Sequence, residues 1–163
     1  MKHVKGDILT VNDGDAVVIV CHQVNCIGVM GAGLAKQIKA EYPGVYRVYK
    51  EKCEAADSKA GLLGDVQYCS VLSDAGYIIA NVFGQEGYGR DGRCYTDYNA
   101  LRKAFSDIAE AFPKDIIRIP YMMGCGLGGG DWGTVQAIIQ ETLSDKGVDV
   151  EIWEYNPAKK EGK

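Results

Sequence analysis

Two glycine-rich runs carry the most legible chemistry of this chain: Gly28-Val29-Met30-Gly31-Ala32-Gly33 and Gly124-Cys125-Gly126-Leu127-Gly128-Gly129-Gly130. Each follows an apolar, strand-like run, and each precedes a segment with helical periodicity. Glycine at such a junction lets backbone N–H groups approach an anion with no side chain between them. The helix dipole adds a partial positive charge at the same place. Two such loops in one small domain point to a ligand with two separated polar parts, such as a diphosphate carrying a sugar at each end. His22 and Asn25 stand just before the first loop and Asp131 just after the second. Between the loops, residues 85–95 hold three glycines, two arginines and two tyrosines, and read as a loop.

The elements that position these residues follow from hydrophobic periodicity. Strands are predicted over 17–20, 66–72, 77–83, 116–122 and 148–155, with an early strand around Val4. Helices are predicted over 33–42, 45–55, 98–112 and 135–143, and the run of Leu101, Ala104, Phe105 and Ile108 marks one buried face. A turn at Ser73-Asp74-Ala75-Gly76 joins two of the strands. The order is β-β-α-α-β-β-α-β-α-β, which predicts an α/β fold: a three-layer α/β/α sandwich with a central mixed sheet. Ligands on such sheets sit beyond the carboxyl ends of the strands, where both glycine loops fall. Residues 1–155 read as one domain and 156–163 as a flexible charged tail.

The totals exclude several functions. The chain has 163 residues, 47% hydrophobic and 25% charged, enough for one core without staples. Its net charge of −4 argues against non-specific binding to nucleic acid or an anionic membrane. The six cysteines form no CxxC pair and only His3 and His22 join them, so no metal site and no cofactor are expected. Cys21 and Cys69 read as small buried hydrophobes. No apolar leader or membrane-length run is visible, which fits a cytoplasmic protein. A Walker loop fails because no GK[ST] follows either glycine run. Residues 124–129 satisfy GxGxxG with Glu154 as an acidic candidate, but a dinucleotide fold places that fingerprint on its first strand with several more to follow.

Three segments together resemble the macro domain, an ADP-ribose-binding family. They are Val4-Lys5-Gly6-Asp7-Ile8; His22-Gln23-Val24-Asn25-Cys26 leading into the first glycine loop; and Ile119-Pro120-Tyr121-Met122-Met123 leading into the second and on to Asp131-Trp132. With Asn81 and Gly89-Arg90, the match covers essentially the whole chain in order. It resembles the stand-alone bacterial and phage branch, akin to ADP-ribose 1″-phosphate phosphatases and the terminal ADP-ribose protein glycohydrolase group.

The resemblance implies roles residue by residue. Asp7 and the Ile8 amide would read adenine, and Trp153 would stack on it, with Tyr155 on the same face. Asn25 would hold the distal ribose. Met30, Gly31, Gly33 and Leu34 would line ribose and diphosphate, opposite Gly124, Cys125, Gly126, Leu127, Gly128 and Gly129. The glycohydrolase mechanism needs a lysine after the Asn81 strand and an acid in the second loop. Here Val82-Phe83-Gly84-Gln85 and Gly128 stand in those places. The yeast-type phosphatase branch instead has a histidine three residues before the asparagine, as His22 stands to Asn25, and its near-neutral titration suits proton transfer. Asp131 would orient His22 or a water; as a bare sequence it is equally a helix N-cap. Tyr88, Arg90 and Arg93 would cover the distal ribose or meet a terminal phosphate. The implied activity is hydrolysis of ADP-ribose 1″-phosphate or a related ADP-ribosyl ester without cofactor. Alternatives are a non-catalytic reader of ADP-ribose, or de-ADP-ribosylation of protein or nucleic acid. No membrane partner is implied.

Overall fold

The computed structural model describes residues 1–11, 14–72 and 76–156. Ser73, Asp74 and Ala75 of the predicted turn, and all of the predicted tail except Asn156, lie outside the described residues. The strands are β1 (Lys2–Lys5), β2 (Val18–Asn25), β3 (Val66–Leu72), β4 (Tyr77–Gln85), β5 (Ile116–Pro120) and β6 (Asp149–Glu154). The helices are α1 (Gly33–Glu41), α2 (Pro43–Ala55), α3 (Tyr98–Ala111) and α4 (Trp132–Thr142). The sheet runs β1-β6-β5-β2-β4-β3, parallel throughout except for β3, which is antiparallel to β4.

Strand β2 is buried along both faces, as its β-branched run requires. Ile19 and Cys21 pack with Leu101, Phe105, Val135 and Ile139 of α3 and α4. On the other face Val18 and Val20 meet Ile38 of α1 and Val45 of α2. Val24, Met30, Tyr49 and Phe83 form a third cluster beneath the first glycine loop. This is the expected three-layer sandwich. Each large core side chain contributes about 1.5–3 kcal/mol by leaving water. Burial pushes the Cys21 thiol up to about 12, so it is the inert core residue expected, whereas Cys69 is only half-buried.

Element ends differ from expectation for local reasons. Pro43 opens α2 at a first-turn position where its missing N–H has no bond to lose. Helix α4 begins at Trp132, three residues early, because Asp131 caps it. Strand β5 stops at Pro120, where a turn closes through Met123 N–H to the Pro120 carbonyl at 3.1 Å. Met122 within that turn has φ +62°, the left-handed region that disfavours a β-carbon. Tyr155 lies past the end of β6 and is 58% exposed. Among the described residues no helix is long and apolar enough to cross a membrane.

Strands β2 and β5 are neighbours whose onward connections leave in opposite directions along the sheet. Both glycine loops therefore open at one crevice, the switch point of the topology.

Candidate functional site

Asn25 ends β2 and organises the first glycine loop. Its Oδ1 accepts from the amides of Ile27, Gly28 and Val29 at 3.0, 3.2 and 3.3 Å. Its Nδ2 donates to the Val29 carbonyl at 2.8 Å, and the Tyr49 hydroxyl lies 2.8 Å from Oδ1. The oxygen is fully engaged by the protein, which leaves one amide hydrogen of Asn25 for a ligand.

The loop delivers the chain to an uncapped helix. Ala32 is the N-cap of α1 and has no side-chain acceptor. The amides of Gly33, Leu34 and Ala35 have no partner among the described residues. By contrast, Asp97 caps α3 through Ala100 N–H at 2.9 Å, and Asp131 caps α4 through Thr134 N–H at 2.8 Å. An open helix N-terminus of this kind is chemically suited to an anion.

The second loop contains glycines of two sorts. A β-carbon on Gly128 would lie 2.6 Å from both the Gly124 carbonyl oxygen and Thr96 Oγ1, and one on Gly129 would collide with the Arg93 carbonyl. These glycines let the loop pack on residues 93–96, where the Tyr95 and Thr96 amides both donate to the Gly128 carbonyl at 2.7 and 3.0 Å. Gly126 is different, since a β-carbon there would meet nothing within 4 Å, and the same holds for Gly33 on the opposite wall. The amides of Gly126, Leu127 and Gly128 have no acceptor among the described residues.

Between the loops lies a cleft of two lobes, each about 470 Å³. The first is bordered by Asn25, Val29, Gly31, Tyr88 and Gly89; the second by His22, Gly33, Leu34, Tyr121, Met122 and Gly124 to Gly128 without Cys125. Gln23, Ala32, Ala35, Gln85, Arg90 and Leu127 line both. Among the described residues no carboxylate lines either lobe, and Arg90 is the one Lys or Arg side chain that does. A larger hollow of about 570 Å³, between the start of α2 and β3, shares no residue with either glycine loop.

Several residues expected in the site lie elsewhere. Met30 is a core residue at 2% exposure. Cys125 turns its thiol to the Met123 carbonyl at 3.3 Å and packs toward the α3–α4 core. Gly129 serves loop packing. Asp7, Ile8 and Trp153 sit beside the cleft rather than lining it. Asp7 Oδ1 accepts from Leu9 N–H at 2.9 Å, and its Oδ2 is 3.4 Å from Gln37 Nε2 of α1. Arg118, buried in β5, donates to the carbonyls of Ile8 and Thr10 at 3.2 and 2.6 Å and so fixes this segment. The Arg118 guanidinium also lies 4.5 Å from the centre of the Trp153 ring. One face of that indole is thereby occupied. Asp131 is exposed and takes both the amide and the hydroxyl of Thr134 on Oδ2, which holds its carboxyl below the usual carboxylate range. No hydrogen bond among the described residues joins it to His22; its structural role is the cap.

His22 is buried at 2% exposure, and its tautomer follows from a chain of bonds. The Val48 carbonyl can only accept, and it does so from Gln67 Nε2 at 3.1 Å. Gln67 Oε1 then accepts from Asn81 Nδ2 at 3.0 Å, which turns Asn81 Oδ1 to His22 Nε2 at 2.5 Å. Nε2 therefore carries the proton, and Nδ1 is a bare acceptor without a partner among the described residues. Burial lowers the His22 pKa to about 4, only partly offset by the Asn81 bond. The expected near-neutral titration is replaced by a permanently neutral imidazole at ordinary pH.

Sequence reasoning passed over Gln23, Gln85 and Thr96. Gln23 Nε2 donates to Gln85 Oε1 at 2.8 Å and to Thr96 Oγ1 at 2.9 Å, and Thr96 Oγ1 donates to the Gly124 carbonyl at 2.6 Å. The network ties β2 and β4 to Thr96 and to the second glycine loop. Its only local signal is a polar residue inside an otherwise apolar strand.

No family model matches the chain. It is 29% identical over 157 residues to the DNA ADP-ribosyl glycohydrolase of Thermus aquaticus, covering 96% of this chain and 41% of that protein. It is 26% identical over 142 residues to a DNA ADP-ribosyl transferase–DNA ADP-ribosyl glycohydrolase fusion protein of Thermosipho africanus, covering 80% and 36%. The chain thus spans about two fifths or less of these two relatives. An ADP-ribose 1″-phosphate phosphatase of Meyerozyma guilliermondii is 32% identical over 99 residues, 55% of this chain and 56% of that one. Among solved structures, a protein of unknown function from Bacteroides thetaiotaomicron superposes with a TM-score of 0.81 at 27% identity, covering 94% and 96%. The macrodomain of Thermus aquaticus DarG superposes with a TM-score of 0.69 at 26% identity, covering 96% and 97%.

Proposed function

We propose that this chain, a member of the macrodomain family, holds ADP-ribose along its two-lobed cleft and hydrolyses a bond at the distal ribose. The observation that carries the reading is the convergence of unpaired amides on a cleft free of carboxylates, in a chain of net charge −4. The first-turn amides of α1 and those of Gly126, Leu127 and Gly128 face a diphosphate from two sides. Backbone dipoles then answer its charge without lysine. The distal ribose occupies the Asn25 lobe, where the remaining Asn25 amide hydrogen donates to a hydroxyl. Asp7 and Trp153 meet the adenine beside the second lobe.

Water is the nucleophile in this reading, because no lysine or carboxylate lines the cleft. His22 Nδ1 is buried beside the second lobe, so in this reading it accepts from a water held there rather than from the distal ribose. The names of the relatives supply the two substrate types that fit: ADP-ribose 1″-phosphate and ADP-ribosylated DNA. A binding-only role is the second reading, favoured by the absence of any carboxylate acid–base pair in the cleft. Calorimetric titration with ADP-ribose, and phosphorus NMR of ADP-ribose 1″-phosphate with wild type and His22→Ala, test these. Binding with phosphate release that His22→Ala abolishes supports the hydrolase. Binding without release removes the phosphatase and leaves the reader or a hydrolase of ADP-ribosylated DNA. Absence of binding overturns both.

A further inference from the structure

Residues 85–96 form a rigid excursion with no core of its own. The Asp91 carboxylate holds it together: it accepts from the Tyr95 hydroxyl at 2.9 Å and from the Arg93 amide at 3.2 Å, and it pairs with Arg93 Nε at 3.1 Å. Gly89 leaves room for the Tyr95 hydroxyl, against which a β-carbon at 89 would collide. Gln85 Nε2 donates to the Gly87 carbonyl at 2.8 Å and closes the base, and the Tyr95 and Thr96 amides fasten the far end to Gly128.

Of the two arginines in this loop, Arg93 is neutralised by Asp91. Arg90 has no carboxylate partner among the described residues. It borders both lobes, beside Tyr88 and Gly89 on the first-lobe side. The diphosphate is already met in the second lobe by two sets of amides. The first lobe offers the amides of Gln23, Asn25 and Gln85, Gly31, Tyr88 and apolar side chains, and its one charge is Arg90. An unpaired guanidinium on a preorganised loop is suited to bidentate recognition of phosphate, and little side-chain freedom is lost in forming the contact.

We infer that Arg90 is a specificity-determining residue that reads a phosphate carried on the distal ribose, separate from the diphosphate. This rests on the ADP-ribose reading of the cleft and names the class of substituent that the first lobe selects. A phosphate monoester and the phosphodiester of a nucleic acid share this chemistry, and the ligand series below separates them.

The test is a calorimetric comparison of ADP-ribose, ADP-ribose 1″-phosphate and a short ADP-ribosylated DNA oligonucleotide, with phosphate release followed in the same samples. The proteins are wild type, Arg90→Ala and Arg90→Lys. Wild type is expected to bind a phosphate-bearing ligand about 10- to 100-fold more tightly than ADP-ribose, the range of one charge-assisted contact. A gain for the monoester alone, or for the oligonucleotide alone, identifies the source of the phosphate. Arg90→Ala is expected to erase that preference, weakening the phosphate-bearing ligand about tenfold or more beyond any effect on ADP-ribose, with Arg90→Lys between. Arg90 is exposed and makes no bond that the fold needs, so the variants report on the ligand. Equal weakening of all ligands by Arg90→Ala would assign the residue to the diphosphate and overturn the inference. A preference unchanged in Arg90→Ala, or none in wild type, would overturn it as well. Failure of wild type to bind ADP-ribose at all would instead remove the premise that the cleft is an ADP-ribose site.

Discussion

Gly126 and Gly128 stand two residues apart in one loop, yet their replacement by alanine is expected to give opposite results. A β-carbon on Gly126 has open space around it, and the residue lies outside the left-handed region. Gly126→Ala therefore leaves the native loop unstrained and narrows the unfolded ensemble, a gain of about 0.4–1 kcal/mol. On Gly128 the same atom would lie 2.6 Å from the Gly124 carbonyl oxygen, which Thr96 Oγ1 and the Gly130 amide already hold at 2.6 and 2.9 Å. Relief requires the loops to part, at an overpacking cost of about 1–3 kcal/mol. Losing the Thr96 bond adds about 1 kcal/mol. The two variants should differ by about 2–5 kcal/mol in urea unfolding, with unchanged slopes. Binding should show the reverse. Gly126→Ala keeps its fold but places a methyl group where the ligand approaches the amide, so ADP-ribose should bind about tenfold or more weakly. Wild-type affinity in Gly126→Ala would show that the space above Gly126 is not the ligand's. Wild-type stability in Gly128→Ala would refute the division of glycines into packing and approach positions.

Other expectations follow from single contacts. With its pKa lowered from 6.5 to about 4, His22 stays neutral in the native state while the unfolded chain takes up a proton. Stability should be complete above pH 6.5 and fall by about 3 kcal/mol as pH drops to 4, a loss that His22→Gln should remove from the unfolding curve. Any turnover dependent on His22 should be flat from pH 5 to 8; a midpoint near 6.5 in the rate profile would contradict the buried neutral imidazole. Asp131→Ala should cost about 1 kcal/mol through the lost cap, with ADP-ribose affinity unchanged. A collapse of turnover in a well-folded Asp131→Ala protein would return that residue to a catalytic part. Met122→Gly relieves a left-handed β-carbon and should raise the thermal midpoint by about 2–4 °C, measured by calorimetry.

The layers of this fold were legible because burial is periodic. The β-branched run of β2, the Leu101–Phe105–Ile108 stripe of α3 and the stop at Pro43 are local signals, and the sheet assembles from them. The two glycine loops were legible for the same reason: a strand, a glycine run and a helix follow one another in sequence. What was hidden depends on distance along the chain. Gln23 meets Gln85 and Thr96 across 62 and 73 residues, and nothing near any of the three announces the others. The orientation of His22 depends on Val48, reached through Gln67 and Asn81, so its titration could not be read from the chain. Asp131 was ambiguous in principle, since an acid before a helix has the same sequence whether it caps or catalyses. Gly126 and Gly128 are likewise one letter, separated only by what surrounds them in space.

The alanine that begins α1 has a consequence for how this protein can be improved. Serine or aspartate at position 32 would finish the helix and make the empty protein more robust. If these amides hold a diphosphate as proposed, the same side chain would be its tethered rival, present at a local concentration no free ligand reaches. A screen for heat resistance alone would therefore select variants that have closed their own site. On the proposed reading an incoming anion completes the first turn of α1, and saturation with ADP-ribose should protect that turn more than any other part of the fold.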